Sequence, residues 1–289
     1  MKSFFLENYD IERISLGIYL FPILFLLLVL RIPIGLSMFL VGAFGTSLIA
    51  GWLPIISQLK TSAWHLFSNY SLSVIPLFLL MGNFAAKAGM SAALFNFAGA
   101  CLGHRKGGVA MAAVGACAGF GAICGSSLAT AATMGKVALP ELRKMGYSNA
   151  LSTGALAAGG TLGILIPPSI MLVVMGPIME IPVIDLFAAA IMPGILLASL
   201  YAAYTTIRCM INPKLGPVLP EDLRATSMKE VWIEFFLGLV PPAALVFAAL
   251  GSILFGFATP TEAAGCGAMG ALLLSLCYKK LTLSKLQEA

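Results

Sequence analysis

The sequence predicts an all-α fold, a polytopic membrane helical bundle, and three observations lead to this class. Hydrophobic residues make up 60% of the 289 residues and charged residues only 10%, with a mean hydropathy of +0.98. Soluble domains carry about 25% charged residues. Apolar runs long enough to span a membrane recur along the chain. Two of these runs are interrupted by glycine, serine or proline, which predicts a re-entrant helical hairpin and an interrupted transmembrane helix.

Hydropathy and helix-breaking residues place the individual spans. The first strong run, Ile14–Leu30, is rich in Leu and Ile and has no small-residue cleavage site, so we interpret it as a retained helix rather than a signal peptide. Residues 53–71 carry aromatic side chains typical of a segment at the membrane interface. The predicted helices cover residues 12–30, 32–51, 72–88, 107–123, 128–142, 149–179 with an interruption, 184–209, 230–257 and 260–278.

The distribution of basic residues predicts the orientation of these spans. We thread the spans alternately and let residues 104–146 enter and leave on one side. Of the 17 Lys and Arg residues, 14 then lie inside or at the inner helix ends. The three outside are Lys2, Arg13 and Lys60. Because cytoplasmic segments are enriched in Lys and Arg, the N-terminus is predicted outside and the C-terminus inside. The net charge of +5 lies at the ends of apolar runs, so no nucleic-acid partner is expected.

The most informative stretch is residues 104–146, an apolar run with basic residues at both ends that is interrupted by Gly125, Ser126 and Ser127. It predicts a helical hairpin that turns inside the bilayer. Glycine permits the turn and a close approach to a ligand. The hydroxyl groups of the two serines and of Thr130 are oxygen donors suited to Na⁺ or to a substrate, and the N-terminus of the second arm attracts anions. A packing face of small residues is the alternative interpretation.

A second interrupted run follows within residues 149–179. Proline removes amide donors and frees carbonyl groups of the preceding turn, and free carbonyl groups at the end of a half-helix can coordinate a cation. A proline-kinked helix whose carbonyl groups are satisfied by neighbouring helices is the alternative. Two interrupted segments in succession favour a transporter site. The candidate binding residues in this run are Gly159, Gly160, Thr161, Pro167, Pro168 and Ser169.

Other polar residues have simpler explanations. Lys136, the only charge well inside a hairpin arm, is expected to extend toward the near interface rather than to bind substrate. Glu262, at the start of the last span, is expected to cap a helix. The six cysteines lack metal-ligand spacing, and no catalytic or nucleotide-binding motif has a usable context. We therefore expect a protein that is not an enzyme and has no cofactor.

Two motifs together resemble the large membrane subunit of tripartite ATP-independent periplasmic (TRAP) transporters. They are GAICGSSLATAATMG at residues 121–135 and AAGGTLGILIPPSI at residues 157–170, and shorter matches occur at 31–35 and 259–264. The resemblance implies an elevator-type symporter of the bacterial cytoplasmic (inner) membrane. It would import small organic acids, of C4-dicarboxylate or sugar-acid type, with Na⁺ as coupling ion and without ATP. The implied partners are a periplasmic solute-binding protein, a small four-helix membrane subunit and membrane lipid.

The resemblance also implies roles for the candidate residues. Substrate and Na⁺ would bind between the hairpin tip and the broken helix. The tip contributes Gly125, Ser126, Ser127 and Thr130, and the broken helix contributes Gly159, Gly160, Thr161, Pro167, Pro168 and Ser169. The Na⁺ ligands would come from Ser126, Ser127, Gly160 and Thr161. Members of the family often have an acidic residue in the second arm, where this chain has residues 129–132, Ala-Thr-Ala-Ala.

Chain length suggests a division into segments. The family fold has two inverted repeats, and this chain supplies one complete repeat, as if the C-terminal third were absent. The predicted segments are N-terminal scaffold helices (1–92), a first transport repeat (93–210), a cytoplasmic loop (211–229) and the start of a second repeat (230–289). Two alternatives remain open: a related Na⁺/anion symporter that needs no binding protein, and a truncated membrane interaction subunit that does not transport.

Overall fold

The computed structural model describes residues 2–68, 70–219 and 228–278, and within these ranges the chain forms helices and turns and no strand. The predicted all-α fold class is therefore confirmed. The chain divides into two compact units, Met1–Asn69 and Tyr70–Ala289, which we describe separately. Parts of the predicted 211–229 loop and of the predicted 230–289 segment lie outside the described residues.

The first unit consists of three helices: α1 (Lys2–Val29), α2 (Ile34–Ala50) and α3 (Trp52–Ser68). The link between α1 and α2 is short. Pro33 precedes the first residue of α2, and the φ angle of Arg31 is 63°. A Cβ atom added to Gly45 of α2 would lie 2.5 Å from Cδ1 of Leu20, so the absence of a side chain lets the two helices approach closely. Most of the region predicted as an interfacial segment is helical, in α3.

The second unit begins with α4 (Val74–Ala88) and α5 (Met90–Leu102), which bend by 63° at Gly89. The sequence predicted α4 and missed α5. Gly89 ends α4 in the left-handed conformation, with φ 83°, and a single residue therefore separates the helices. α5 has only 13 residues, fewer than the roughly 20 that a straight membrane span requires, so hydropathy alone did not reveal it.

The hairpin and the broken helix lie next in the chain and match their predicted bounds closely. The hairpin arms are α6 (Gly108–Cys124) and α7 (Ser127–Lys144). The broken helix consists of α8 (Asn149–Leu165) and α9 (Ile170–Met179), which bend by 43°. Most of α6 is buried, because glycine and alanine along its length let α5, α8 and α10 (Val183–Ile211) pack closely around it.

The last helices follow the gap in the described chain. α11 (Met228–Glu234), α12 (Val240–Val246) and α13 (Ser252–Leu254) are joined by π-helical turns at Phe235–Leu239 and Phe247–Gly251. α14 (Pro260–Cys277) begins with a capping box. The amide and hydroxyl of Thr259 each donate to Oε2 of Glu262 at 2.8 Å, and the Glu262 amide donates to the Thr259 hydroxyl at 3.3 Å. The predicted capping role of Glu262 is confirmed.

The helix lengths are those of a multi-pass membrane protein. In the described part of the chain, Val183–Ile211 and Val231–Leu254 are each long and apolar enough to cross a bilayer. Two bent pairs, α4 with α5 and α8 with α9, also qualify when each pair is taken as one span, which gives up to four spans. The orientation of the termini stays a prediction.

A short segment after α10, residues 212–219, joins several helix ends at one end of the second unit. The Gly107 amide donates to the Gly216 carbonyl at 3.1 Å, and the Ser148 amide donates to the Leu215 carbonyl at 3.0 Å. The Leu219 amide donates to the Gly103 carbonyl at 3.1 Å. We call this region the basic end, because the helix ends and turns gathered there carry Arg105, Lys106, Arg143, Lys144, Arg208 and Lys214.

Tyr147 lies at the basic end, in the turn between α7 and α8. Its side chain is 4% exposed, and its hydroxyl accepts a hydrogen bond from the Val109 amide at 3.2 Å. Val109 is in the first turn of α6, where amides lack an intrahelical acceptor. Tyr147 therefore caps α6 from a distant position in the sequence. Burial raises the pKa of the Tyr147 hydroxyl to about 12.

Candidate functional site

The hairpin turns at the position that the sequence predicted. α6 ends at Cys124, Gly125 adopts a left-handed conformation with φ 61°, and Ser126 is extended. Ser126 is also the N-cap of α7, where its hydroxyl accepts weakly from the Ala129 amide at 3.5 Å. The two arms are therefore separate helices joined by a two-residue turn. This turn exposes the N-terminus of α7, with its positive dipole end, at the tip.

The second interrupted segment breaks at Ile166–Ser169, between α8 and α9. Pro167 has no amide hydrogen for the carbonyl of Gly163, and Pro168 has none for the carbonyl of Ile164. The Ser169 hydroxyl donates to the Ile164 carbonyl. Ser169 is completely buried, so it replaces one of the hydrogen bonds that the prolines remove. The Gly163 carbonyl is the remaining backbone oxygen that proline deprives of its usual donor.

The structure brings the hairpin tip and the helix break into direct contact. The Ile170 amide, at the start of α9, donates to the Gly125 carbonyl at 3.1 Å. A Cβ atom added to Gly125 would lie 2.8 Å from the Pro168 carbonyl oxygen. A Cβ atom added to Gly163 would lie 2.8 Å from the Thr130 hydroxyl and 2.9 Å from the Ser126 carbonyl oxygen. The two candidate segments thus meet through backbone atoms, at positions where only glycine leaves enough space.

Thr130 holds the shape of the tip. It is completely buried, and its hydroxyl donates to the Ser126 carbonyl at 2.8 Å. The Cys124 sulfur lies 2.9 Å from the same hydroxyl. The Cys124 thiol also lies 3.5 Å from the Ser126 carbonyl oxygen, so Cys124, Ser126 and Thr130 form one small cluster of hydrogen-bonding groups. The hydroxyl of Thr130 is therefore committed to hydrogen bonds that join both sides of the turn.

The hydroxyl groups of the two serines at the tip are freer to bind a ligand than the hydroxyl of Thr130. Ser126 and Ser127 are both half-buried, and the neighbouring Leu128 is 80% exposed. The Ser126 hydroxyl has only the long contact to the Ala129 amide. Within the described residues the Ser127 hydroxyl has no hydrogen-bond partner. These two hydroxyl groups are the side-chain oxygens of the tip that can bind an ion or a substrate without first losing a strong hydrogen bond.

The predicted residues of α8 face in different directions. Gly159 packs against Cys117 of α6, and Gly160 packs against Ala131 of α7, each at a distance that excludes a side chain. Thr161 is exposed, and its hydroxyl donates to the Ala158 carbonyl at 2.7 Å. The Thr161 hydroxyl also lies 3.3 Å from the hydroxyl of Tyr201 in α10. The structure therefore brings Gly160, but not the Thr161 hydroxyl, to the hairpin.

Cys124 and Gly163 belong to this site and were not among the predicted residues. Cys124 supports Thr130, and Gly163 makes room for Thr130 and Ser126. Gly159 and Gly163 are four residues apart, a spacing typical of close helix contacts in membranes. That signal was present in the sequence. The partner of Cys124 could not be found in this way, because it depends on the conformation of the turn.

Metal-binding and charged groups are sparse in this region. Among the described residues, no group of three or more His, Cys, Asp or Glu side chains could hold a metal ion. Lys136 is exposed on α7, nine residues from Ser127, which corresponds to about 13 Å along the helix. The tip therefore offers neutral oxygen atoms and helix N-termini rather than charged ligands. Such groups suit a weakly bound alkali cation or a carboxylate better than a transition metal.

These features define a class of protein. A helical hairpin in contact with a broken helix, in a multi-pass membrane protein, is an arrangement from which secondary transporters build binding sites. The chain belongs to the DctM component family of tripartite ATP-independent periplasmic transporters, whose family model matches residues 21–289. The resemblance based on the two motifs is therefore confirmed. The chain belongs to a family of transport components and not to an enzyme family.

Three curated relatives illustrate the similarity. The C4-dicarboxylate TRAP transporter large permease protein DctM of Pseudomonas aeruginosa is 37% identical over 233 residues, which cover 80% of this chain and 52% of the relative. The isethionate TRAP transporter permease protein DctMQ of Oleidesulfovibrio alaskensis is 34% identical over 267 residues, which cover 91% of this chain and 41% of the relative. The sialic acid TRAP transporter permease protein SiaT of Haemophilus influenzae is 28% identical over 285 residues, which cover 97% of this chain and 44% of the relative. The chain spans about half the length of these relatives.

Proposed function

We propose that this chain forms the first substrate-binding and ion-binding repeat of a permease that imports small organic acids together with Na⁺. The observation that carries the proposal is the contact between the two interrupted segments, made by the hydrogen bond from the Ile170 amide to the Gly125 carbonyl. Irregular backbone is rare inside a membrane protein, because each unpaired polar group costs free energy there. Where it occurs, it often forms a binding site. A binding site at the tip would explain why both helices are interrupted here.

The proposed Na⁺ position lies at the tip, beside the hydroxyl groups of Ser126 and Ser127. Gly160 packs against Ala131, about one turn inside α7, so we propose its backbone as a ligand from the α8 side. The Gly163 carbonyl, whose usual donor is replaced by Pro167, is a further candidate ligand. Thr161 would have to give up its contacts with Ala158 and Tyr201 before it could take part. Thr130 contributes indirectly, by keeping the turn in shape.

The proposed substrate is a small carboxylate or related anion. The N-termini of α7 and α9 meet at the tip, and helix N-termini favour negatively charged groups. The names of the three relatives refer to C4-dicarboxylates, isethionate and sialic acid, all of which are organic acids. Residues 93–210 would form the transport repeat and residues 1–92 the scaffold. We propose a periplasmic solute-binding protein and a small four-helix membrane subunit as partners, in a bacterial cytoplasmic membrane.

The proposal is tested by removing the free hydroxyl of Ser127. The chain is reconstituted in proteoliposomes with its small subunit and binding protein, and uptake of labelled succinate, sialic acid and isethionate is measured against external Na⁺. We expect Ser127→Ala to raise the Na⁺ concentration needed for half-maximal uptake about tenfold, since a hydrogen-bond-sized loss of about 1.4 kcal/mol corresponds to that factor.

Ser199→Ala is the matched control. Ser199 is exposed on α10, and its hydroxyl donates only to the Ile195 carbonyl in its own helix. Its removal should leave the Na⁺ dependence unchanged. Equal Na⁺ dependence in the Ser127 variant and the control would exclude Ser127 as a ligand. Uptake by the wild type that does not respond to replacing Na⁺ with K⁺ would exclude Na⁺ coupling altogether.

A further inference from the structure

A groove of about 660 Å³ lies between α8 and α10, separate from the hairpin tip. Its walls are mainly apolar and include Leu151 and Ala155 of α8 and Leu200 of α10. α8 packs against the hairpin through Gly159 and Gly160, so the groove uses a different face of this helix. The proposed transport site therefore does not account for the groove.

One end of the groove carries a positive charge without a counter-ion. Arg208 is the only charged residue among the described residues that line the groove, and it forms no ion pair in that part of the chain. Tyr204, which is 61% exposed, lines the same groove. A guanidinium group is well suited to bidentate binding of a phosphate group. The charge at this end of the groove is therefore complementary to an anion.

The length of α10 places Arg208 near the lipid headgroups. α10 has 29 residues, which corresponds to about 43 Å, whereas the hydrocarbon core of a bilayer is about 30 Å thick. Arg208 is in the last turn of α10, at the basic end, and Leu200 lies about 12 Å further along the helix. The groove thus extends from a cationic rim at the headgroup level toward the apolar interior.

We propose that this groove binds one anionic phospholipid, with the phosphate group on Arg208 and an acyl chain between α8 and α10. A soluble anion would use only the rim and would leave the apolar walls without a partner. A lipid without net negative charge would gain less from the basic end, whose helix ends and turns carry further Lys and Arg residues. Basic pockets between membrane helices are known to select anionic headgroups in this way.

The test is lipid binding to the purified full chain in detergent, measured by native mass spectrometry with dioleoyl phosphatidylglycerol and dioleoyl phosphatidylcholine. The wild type should bind phosphatidylglycerol more tightly. Arg208→Gln should weaken phosphatidylglycerol binding about tenfold, the size expected for one charge-assisted contact. Phosphatidylcholine also carries a phosphate group, but its choline cation offsets that charge, so its binding should weaken by a smaller factor. Lys144→Gln is the control, because Lys144 lies at the same end but pairs with Glu141 at 2.7 Å.

A second variant blocks the apolar part of the groove. Gly154 lines the groove, and a Cβ atom added to it meets nothing within 4 Å. The Cβ atom of Gly154→Leu therefore meets no neighbour, and the rest of the side chain should occupy the groove and weaken the binding of both lipids. Gly135→Leu is its control, because Gly135 on α7 is equally unobstructed and does not line the groove. Helix content from circular dichroism checks that each variant is folded.

Three results would overturn the proposal. One is equal phosphatidylglycerol affinity in Arg208→Gln and Lys144→Gln. Another is displacement of phosphatidylglycerol by soluble glycerol 1-phosphate, which would identify a site for free anions. The third comes from a crosslinking experiment.

If the Arg208 variant does not fold, a photoreactive phosphatidylglycerol is crosslinked to the wild type instead. Labelled peptides should then come from α8 and α10, and labelling confined to other helices would contradict the assignment.

Discussion

Replacing Gly125 with alanine is the most direct test of the contact between hairpin and broken helix. Two separate costs follow from the structure. Gly125 has φ 61°, a left-handed conformation that costs a residue with a Cβ atom about 1–2 kcal/mol. The new methyl group would also lie 2.8 Å from the Pro168 carbonyl oxygen and 3.2 Å from the Ile170 amide nitrogen. These neighbours are backbone atoms, so the tip and the break must move apart.

Separation of the tip from the break would also weaken the hydrogen bond between the Ile170 amide and the Gly125 carbonyl. A net loss of about 0.5–1.5 kcal/mol is typical for one such bond. Together with the conformational cost, we expect Gly125→Ala to lower the free energy of unfolding by about 2–3 kcal/mol. The clash adds to this value if the neighbouring backbone cannot relax.

The free energy of unfolding is measured in mixed dodecyl maltoside and dodecyl sulfate micelles, with tyrosine and tryptophan fluorescence and circular dichroism as independent probes. Gly135→Ala is the matched control. Gly135 lies inside α7, and an added Cβ atom meets nothing within 4 Å. Alanine is favoured over glycine in a helix interior by about 0.5–1 kcal/mol, so the control should be slightly more stable than the wild type.

One result would refute this reasoning. If Gly125→Ala were as stable as Gly135→Ala, the tip would neither require a left-handed residue nor lie against the helix break. The proposed binding site would then lose its structural basis, because it depends on the two interrupted segments meeting at this glycine.

Two further substitutions test the supports of the hairpin. Thr130→Val keeps the shape of the side chain but removes its hydrogen bonds to the Ser126 carbonyl and the Cys124 thiol; we expect about 1–2 kcal/mol lower stability by the same micelle assay. Tyr147→Phe leaves the Val109 amide without its acceptor and should cost a similar amount. Because the pKa of Tyr147 is raised from 10.0 to about 12, its contribution is complete below pH 10 and is lost as the pH rises toward 12. A stability profile of Tyr147→Phe that falls as steeply over that interval would contradict this assignment.

Local signals in the sequence were sufficient to predict the elements of the candidate site. Glycine and serine at residues 125–127 mark the turn because a helix cannot continue through a left-handed residue followed by an extended N-cap. Two prolines at 167–168 mark the break because they remove consecutive amide donors. The capping role of Glu262 followed from its place at the start of the last span, where the helix dipole favours a carboxylate. Each of these signals depends only on neighbours in the chain.

The arrangement of those elements could not be predicted in the same way. The contact of Gly125 with Pro168 joins residues more than forty positions apart, and its geometry depends on how α6 packs against α8. The outward direction of Thr161 depends on the helical rotation that brings Gly160 to the hairpin. The short helix α5 was missed because its length is below that of a membrane span and its break at Gly89 is a single residue.

The segment formed by residues 212–219 has a consequence for the response of the protein to salt. Several like charges are gathered at the basic end, yet the bonds that tie this segment to residues 103, 107 and 148 are neutral main-chain hydrogen bonds. Ionic strength screens charges but leaves such bonds almost unaffected. Raising the salt concentration should therefore weaken the attraction of this end to anionic lipid headgroups while the attachment of residues 212–219 to the neighbouring helix ends stays intact.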